Sequence, residues 1–186
     1  MILKCQIRSI RYGLTSNRRT YESKPNSANH KMINFILLFN RQRKIRLQKW
    51  YDVYSTKEKK NMIHDLTSTI LGRSKKMSNI LEWKNLQIIY QRYASLIIAF
   101  ATSKDDNQLL ILEMIHRYVE ILDSYFGNVC ELDIIFNFEK AHFLLDEYIL
   151  AGEIMDTGRH SVVWNVKYAD DYQEEESKSL ELQKFS

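Results

Sequence analysis

The sequence has few of the residues that build phosphate-binding loops, covalent cross-links or membrane spans. Among its 186 residues there are five glycines, and no glycine motif that binds phosphate or positions a serine nucleophile occurs. The two cysteines, Cys5 and Cys130, are too few for a disulfide framework or a four-ligand zinc site, which indicates a reduced, cytosolic setting. The longest apolar runs, such as residues 96–101, fall far short of the roughly 20 residues that cross a bilayer. Because the first apolar run begins only after Met32, we expect no secretory signal.

Charge is distributed unevenly along the chain, although the net charge is only +4. Residues 1–31 carry seven basic residues and one acidic residue, whereas the remainder carries 20 basic and 22 acidic residues. Residues 168–186 carry six acidic residues against two lysines. The hydrophobic share of 45% is that of an ordinary globular protein. We therefore expect one domain, residues 32–167, between a basic, disordered extension (1–31) and an acidic, flexible tail (168–186).

The basic extension has two interpretations. It combines arginine, serine and asparagine with the single proline, Pro25, and it has no sustained apolar period. An arginine-rich segment with little acid is typical of a mitochondrial transit peptide. The alternative is an extended start upstream of the true initiator, Met32. That alternative is favoured because a complete domain pattern begins at Met32 itself.

From residue 32 onward, apolar periodicity predicts five strands followed or interrupted by helices. The strands are predicted at about residues 32–39, 45–51, 80–83, 86–90 and 93–102, the helices at about 55–72, 108–126 and 129–151, and a last short element at 161–166. The first helix begins with a capping box, in which Ser55 precedes Glu58 by three residues. Gly72, Gly127 and Gly152 are predicted to end the three helices. The order β-β-α-β-β-β-α-α, with short connections between strands, favours an α+β fold with helices packed on an antiparallel sheet.

Candidate catalytic residues are few. Glu113 and His116 have the Glu-x-x-His spacing of di-metal carboxylate proteins, and Glu120 lies one turn further along. Such a site needs two copies of the motif and two further carboxylates, so a solvated helix face is the favoured interpretation. Cys130 has apolar neighbours and is expected to be a small buried residue rather than a nucleophile. The sequence therefore predicts a protein that is not an enzyme and has no metal or cofactor.

The first predicted hairpin is strongly basic. Its five basic residues fall within nine positions: Arg41, Arg43, Lys44, Arg46 and Lys49. Basic side chains at a sheet edge discourage pairing with other sheets. They can equally form a patch for phosphate, nucleic acid or a carboxylate-bearing peptide, and charge alone leaves these alternatives open. Nucleic acid is disfavoured because the chain beyond residue 31 is net acidic and lacks an aromatic-basic RNA signature.

Several segments of the sequence resemble one protein family. Residues 32–42 (MINFILLFNRQ) and 47–51 (LQKWY) resemble the start of the small, or sigma, subunits of clathrin adaptor complexes. Residues 92–96 (RYASL) look like the central strand of that family, and residues 128–153 are similar to its most distinctive stretch. The resemblance covers about residues 32–167 and is stronger to the Golgi/endosomal type than to the plasma-membrane type.

This resemblance implies a longin-like fold: a five-stranded antiparallel sheet flanked by helices on both faces. It implies a heterotetramer in which the small subunit packs against the amino-terminal solenoid of one large subunit, beside a second large subunit and a medium subunit. The implied cargo is a tail with an acidic dileucine signal, Asp/Glu-x-x-x-Leu-Leu/Ile. The implied location is peripheral, on the cytosolic face of the trans-Golgi network, endosomes and clathrin-coated vesicles, with clathrin and membrane reached through the complex. A longin-type regulator of small GTPases or membrane fusion is the competing hypothesis, but it should lack the stretch at residues 128–153.

The resemblance also assigns individual residues to a dileucine pocket. The positions that match the lining of its two leucine pockets are Ala94, Leu96, Val119, Val129, Leu132 and Ile134. Asn128 matches a polar contact to the peptide backbone, and Arg46 matches the basic residue near the acidic position of the signal. Two positions depart from the family. Arg43 replaces a usual glycine, which predicts a changed hairpin turn, and Gln91 replaces a usual basic residue, which weakens the local positive charge.

Overall fold

A five-stranded antiparallel sheet forms the centre of the computed structural model, which describes residues 32–74 and 76–184. The spatial order of its strands is β2-β1-β5-β4-β3. These strands are β1 (Ile33–Asn40), β2 (Ile45–Trp50), β3 (Ile80–Trp83), β4 (Leu86–Tyr93) and β5 (Leu96–Ser103). A second, small hairpin consists of β6 (Ile149–Leu150) and β7 (Glu153–Ile154). The predicted extension, residues 1–31, lies outside the described residues.

Helices cover both faces of the sheet. The five helices of the described residues are α1 (Thr56–Gly72), α2 (Gln108–Phe126), α3 (Glu131–Phe136), α4 (Phe138–Tyr148) and α5 (Arg159–Lys184). Helix α1 packs on one face of the sheet, and helices α2, α4 and α5 form the layer on the other face. The predicted α+β fold with helices on both faces is therefore confirmed.

Strand β1 contributes to the hydrophobic core on both of its faces. Phe35 and Leu37 belong to the core beneath α1, whereas Ile36 and Leu38 belong to the core beneath α2, α4 and α5. This follows from the alternation of side chains along a strand. A strand between two apolar layers has to be apolar at nearly every position, which explains the continuous run at residues 35–39.

The ends of the first two helices agree in part with the sequence. The capping box of α1 is present: the Glu58 amide donates to the Ser55 hydroxyl at 3.3 Å, and the Ser55 amide donates to the Glu58 carboxylate at 2.8 Å. Gly127 ends α2 in the left-handed conformation, with φ +68°. Helix α1 ends at Gly72 as predicted, but the expected left-handed glycine stop is absent, since Gly72 is the last helical residue and the following residue, Arg73, is extended. The side chain of Arg92 supplies donors to the end of α1, so a left-handed residue is not required there.

The predicted third helix, residues 129–151, is two helices and the first strand of the small hairpin. Helices α3 and α4 are separated at Asn137, whose backbone is not helical (φ −122°, ψ 44°) and whose side chain donates to the Asp133 carbonyl at 3.1 Å. Gly152 therefore does not end a helix. It lies in the turn between β6 and β7 with φ +86°.

Residues 92–96 contain the turn between β4 and β5 and are not part of one central strand. Strand β4 continues to Tyr93, which pairs with Leu96 at the start of β5. Ala94, in the turn between them, has φ +52°. The prediction failed because an apolar, aromatic segment gives no local signal for a two-residue turn without glycine.

The C-terminal helix is longer than the short element predicted at residues 161–166. Val162 and Val166 pack into the core, and Asp170 accepts hydrogen bonds from Tyr125 and Lys140. The structure continues α5 through residues 168–184, where the sequence predicts a flexible tail. Through Asp170, the first part of the acidic segment contacts α2 and α4. Among the described residues, no helix has the length and apolar content needed to cross a membrane.

Candidate functional site

Three connecting segments that are distant in sequence meet at one end of the central sheet. They are the β1–β2 turn at residues 41–44, the β4–β5 turn at residues 94–95 and the α2–α3 connection at residues 127–130. Arg41 of the first turn donates to the carbonyl oxygen of Ala94 in the second, at 2.7 Å. All eight residues that the sequence assigns to a peptide pocket lie in these segments or in the elements that they join.

A shared carboxylate fixes the geometry of this end of the sheet. Glu131, the first residue of α3, accepts through Oε1 from Asn40 Nδ2 at 2.9 Å and from both Nε and Nη2 of Arg46 at 2.9 Å. Partial burial opposes ionisation, but hydrogen bonds from Asn40, Arg46 and Ser95 outweigh it and hold the Glu131 pKa below its usual value. The cation that the sequence assigns to a ligand acid is thus already paired with an acid of the same chain.

Sequence reasoning did not select Glu131. It stands between Val129 and Leu132, which were selected, and it is 85 positions from Arg46. A helical or strand period links residues only a few positions apart, so no local pattern could have paired these two side chains.

The predicted apolar pocket residues divide into a buried group and an exposed group. The buried ones, at most 4% exposed and in one core cluster, are Leu96, Val119, Val129 and Ile134. Leu132 is 58% exposed, Asn128 is exposed and Ala94 is partly buried. The structure therefore places four of the predicted apolar residues in one core cluster, whereas Leu132 lies at the surface.

The α2–α3 connection turns sharply at this surface. Gly127 and Asn128 have consecutive left-handed backbones, with φ +68° and +69°. Asparagine tolerates this conformation better than most residues because its short polar side chain bonds locally. The Val129 amide then donates to the Asp123 carboxylate at 3.2 Å, which holds the turn closed. Cys130, predicted to be buried, is exposed because it is the N-cap residue of α3 and lies outside the packed face.

The β1–β2 turn keeps its hydrogen bonds despite the arginine at its third position. Asn40 accepts the Gln42 amide at 2.9 Å and the Lys44 amide at 3.0 Å through its side-chain oxygen. Arg43 itself adopts φ +64°, the region where glycine is least strained. The second departure from the family, Gln91, accepts a hydrogen bond from the Asn79 amide group.

The basic cluster is only partly available to a ligand. Arg46 pairs with Glu131, and Lys49 pairs with Asp146 at 2.6 Å. Arg43 and Lys44 are exposed, and neither forms an ion pair with another described residue. The free positive charge therefore lies at the tip of the β1–β2 turn.

The Glu-x-x-His motif of α2 is used for internal pairing. Arg117 contacts Glu120 at 2.9 Å and Glu113 at 3.6 Å, and His116 Nε2 lies 3.7 Å from Glu120. His116 and Glu120 are buried, so the prediction of a solvated face is wrong for these two residues. They are buried because α2 lies between other helices and the sheet. Within residues 32–74 and 76–184, no group of three or more potential ligands could hold a metal ion.

Comparisons with known proteins match most of the chain. Residues 32–173 match the family model described as the clathrin adaptor complex small chain. The chain is 54% identical over 145 residues to AP-1 complex subunit sigma-1A of Homo sapiens, covering 78% of this chain and 92% of that protein. It is 47% identical over 152 residues to AP-1 complex subunit sigma-1 of Schizosaccharomyces pombe, covering 82% and 94%. A chain of a homology model of the full-length AP-3 complex in a stretched open conformation is similar in structure, with a TM-score of 0.63, 27% identity and coverage of 80% of this chain and 99% of that one.

Proposed function

This chain belongs to the clathrin adaptor complex small-chain family, and we propose that it takes part in binding acidic dileucine signals of cargo as a subunit of such a complex. It is a small subunit of a multi-subunit clathrin adaptor complex that acts in vesicle transport. The alternative of a longin-type regulator of GTPases or fusion is not favoured. The observation that carries the proposal is the meeting of an apolar cluster, an exposed leucine and a basic turn at one end of the sheet.

The leucines of a signal require an apolar surface that is partly open. Leu132 is an exposed leucine on the same connection and helix as the buried Val129 and Ile134, and the partly buried Ala94 lies in the β4–β5 turn at this end of the sheet. Burial of a leucine side chain contributes roughly 1.5–3 kcal/mol, so two leucines contribute roughly 3–6 of the about 8 kcal/mol that correspond to a micromolar affinity. The exposed Asn128 carries both donors and an acceptor for the peptide backbone. The basic turn attracts the acidic residue of the signal and adds specificity more than affinity.

Exposed aromatic residues on α5 support docking to a partner subunit. Trp164, Tyr168 and Tyr172 recur every four residues along the helix and are each about 60% exposed. The rings of Trp164 and Tyr168 stack with their centroids 5.2 Å apart. Aligned apolar rings are unusual on a surface that faces only water. We propose that the amino-terminal solenoid of a large subunit covers them, beside a second large subunit and a medium subunit.

The relatives named as AP-1 sigma subunits support a finer assignment. We propose a peripheral location on the cytosolic face of the trans-Golgi network, endosomes and clathrin-coated vesicles. Clathrin and the membrane would be contacted through the whole complex, and nucleic acid would not be a partner. We further propose that the subunit has no catalytic activity and needs no cofactor. Affinity purification followed by mass spectrometry should recover two large subunits and one medium subunit in equal amounts.

The leucine pocket is tested by Leu132→Ser in the assembled complex. Calorimetry with a Glu-x-x-x-Leu-Leu peptide should show at least tenfold weaker binding, since one leucine contact is worth roughly 1.5–3 kcal/mol. The matched control is Leu109→Ser, because Leu109 is 70% exposed and lies at the other end of α2, about 27 Å from Gly127. Equal affinity for wild type and Leu132→Ser would refute the pocket. Val119→Asp is a poorer test, because Val119 is 2% exposed and a charge there would unfold the core.

A further inference from the structure

We propose that Glu131 competes with the acidic residue of a dileucine signal for Arg46, and so limits how strongly this subunit depends on that acidic residue. The inference rests on the proposed function of the site. It assigns to Glu131 a role in selectivity: signals with and without the acidic residue are bound more equally than Arg46 alone would allow.

Arg46 binds Glu131 through one edge of its guanidinium group. Two of its five N–H donors, one on Nε and one on Nη2, point to a single carboxylate oxygen of Glu131 at 2.9 Å. The side chains are 21% and 20% exposed, so the pair is reachable by a peptide but partly shielded from salt. Charge-assisted hydrogen bonds of this length are among the stronger interactions of a protein side chain.

Glu131 is also held by residues other than Arg46. Asn40 donates to the same oxygen at 2.9 Å, and Ser95 also donates to the carboxylate. Residues from β1, β2 and the β4–β5 turn thus hold one acid in place. Because three residues donate to it, the Glu131 carboxylate is held in one position, and its negative charge stays beside Arg46.

A second carboxylate has two ways to reach Arg46, and Glu131 opposes both. At the Nε–Nη2 edge, the incoming acid must displace Glu131 and break its hydrogen bonds. At the remaining N–H groups, the incoming acid lies close to a fixed negative charge, which repels it. The exposed Arg43 and Lys44 nearby attract the peptide at longer range, but salt screens them.

The alternative role for Glu131 is to orient Arg46 for the peptide. The two roles predict opposite signs. If Glu131 competes, its neutralisation strengthens binding of the acidic peptide. If Glu131 orients Arg46, its neutralisation weakens binding of that peptide.

The experiment uses the assembled adaptor complex, calorimetry and two peptides, Glu-x-x-x-Leu-Leu and Gln-x-x-x-Leu-Leu. For Glu131→Gln we expect the preference for the glutamate peptide to rise about tenfold, because glutamine keeps the shape and removes the charge. The affinity for the glutamine peptide should change less than twofold. The control Asp105→Asn removes one negative charge at the far end of β5, about 23 Å from Leu96, and should change neither affinity. Adding Arg46→Gln to Glu131→Gln should abolish the gain.

An unchanged or reduced preference for the glutamate peptide in Glu131→Gln overturns the inference while leaving the leucine pocket in place. A gain that persists in the Arg46→Gln double variant overturns it as well, because the released cation would not be Arg46. If the wild-type complex binds neither peptide, the proposed function itself fails. The glutamine peptide therefore reports on the leucine pocket, and the ratio of the two affinities reports on Glu131.

Discussion

The guanidinium of Arg92 donates a hydrogen bond to the carbonyl oxygen of Ile70 at 2.7 Å. The same nitrogen also donates to the Arg73 carbonyl at 3.0 Å, so a side chain of β4 closes the end of α1. The last carbonyls of a helix lack intrahelical partners, and a cation is favoured there by the helix dipole. One residue thereby joins the sheet to the helix on its face and replaces the glycine cap that the sequence predicts.

Arg92→Ala should loosen the end of α1. Hydrogen bonds to charged groups are worth about 1.5–3 kcal/mol, so amides of residues 70–74 should exchange roughly tenfold faster or more. The measurement is hydrogen–deuterium exchange by mass spectrometry on the assembled complex. Arg92→Lys should recover only part of the protection, because the lysine side chain is shorter and its ammonium nitrogen does not reach the position of the Arg92 nitrogen that makes both contacts. Unchanged exchange at residues 70–74 in Arg92→Ala would show that the end of α1 does not depend on this contact.

Two buried tyrosines should respond differently to loss of the hydroxyl group. Tyr118 donates to the Ala141 carbonyl at 2.9 Å and links α2 to α4, whereas the Tyr93 oxygen has no hydrogen-bond partner among the described residues. Tyr118→Phe should cost about 1 kcal/mol, seen as about fivefold faster exchange of α4 amides. Tyr93→Phe should be neutral or slightly stabilising. Burial raises the pKa of both phenols, so the difference should persist up to at least pH 9. Equal effects of the two variants would contradict the conclusion that the Tyr118 hydroxyl forms a stabilising hydrogen bond and the Tyr93 hydroxyl does not.

Arg43→Gly should stabilise the β1–β2 turn. The left-handed backbone of Arg43, with φ +64°, costs a residue with a side chain roughly 1–2 kcal/mol relative to glycine. Arg43→Ala is the matched control because it removes the same charge and keeps the backbone cost. Exchange of the Asn40 and Lys44 amides should slow in Arg43→Gly and not in Arg43→Ala. If both variants slow it equally, the strain lies in charge repulsion between basic side chains.

Removal of residues 1–31 should leave assembly intact. Residues 32–74 and 76–184 already contain a five-stranded sheet with helices on both faces, and the family match begins at residue 32. The truncated chain should co-purify with the large and medium subunits as the full chain does. Loss of co-purification would show that the extension is part of the interface. Full-length protein found in mitochondria with this segment removed would support the transit-peptide interpretation instead.

Expression of residues 32–186 without partners should give a poorly soluble protein. Exposed aromatic residues such as Trp164, Tyr168 and Phe136, which is 78% exposed, would face water. Co-expression of a large-subunit solenoid should restore solubility by covering them. A monodisperse monomer at high concentration, checked by light scattering, would contradict an obligate place in a complex.

Local patterns in the sequence were enough for the architecture. The continuous apolar run at residues 35–39 predicted a central strand, and the Ser55–Glu58 spacing predicted the start of α1. Gly127 predicted the end of α2 for the same kind of reason. In each case the structure depends on a contact within a few residues or on a burial period of two or 3.6 residues. Residues close together in the sequence are therefore enough to predict it.

Contacts between distant segments were decided only by the tertiary structure. Gly72 has the residue type of a helix stop, yet Arg92 from another strand ends the helix. Leu132 and Ile134 are apolar and two positions apart, yet one is 58% exposed and the other 1%. Arg46 is a free cation in the sequence and a partner of Glu131 in the fold. The sequence by itself determined the family, the approximate positions of the five central strands and the first two helices. Which side chains meet across 85 positions depends on strand register and on the docking of helices, because both are set by packing of the whole core and not by any local period.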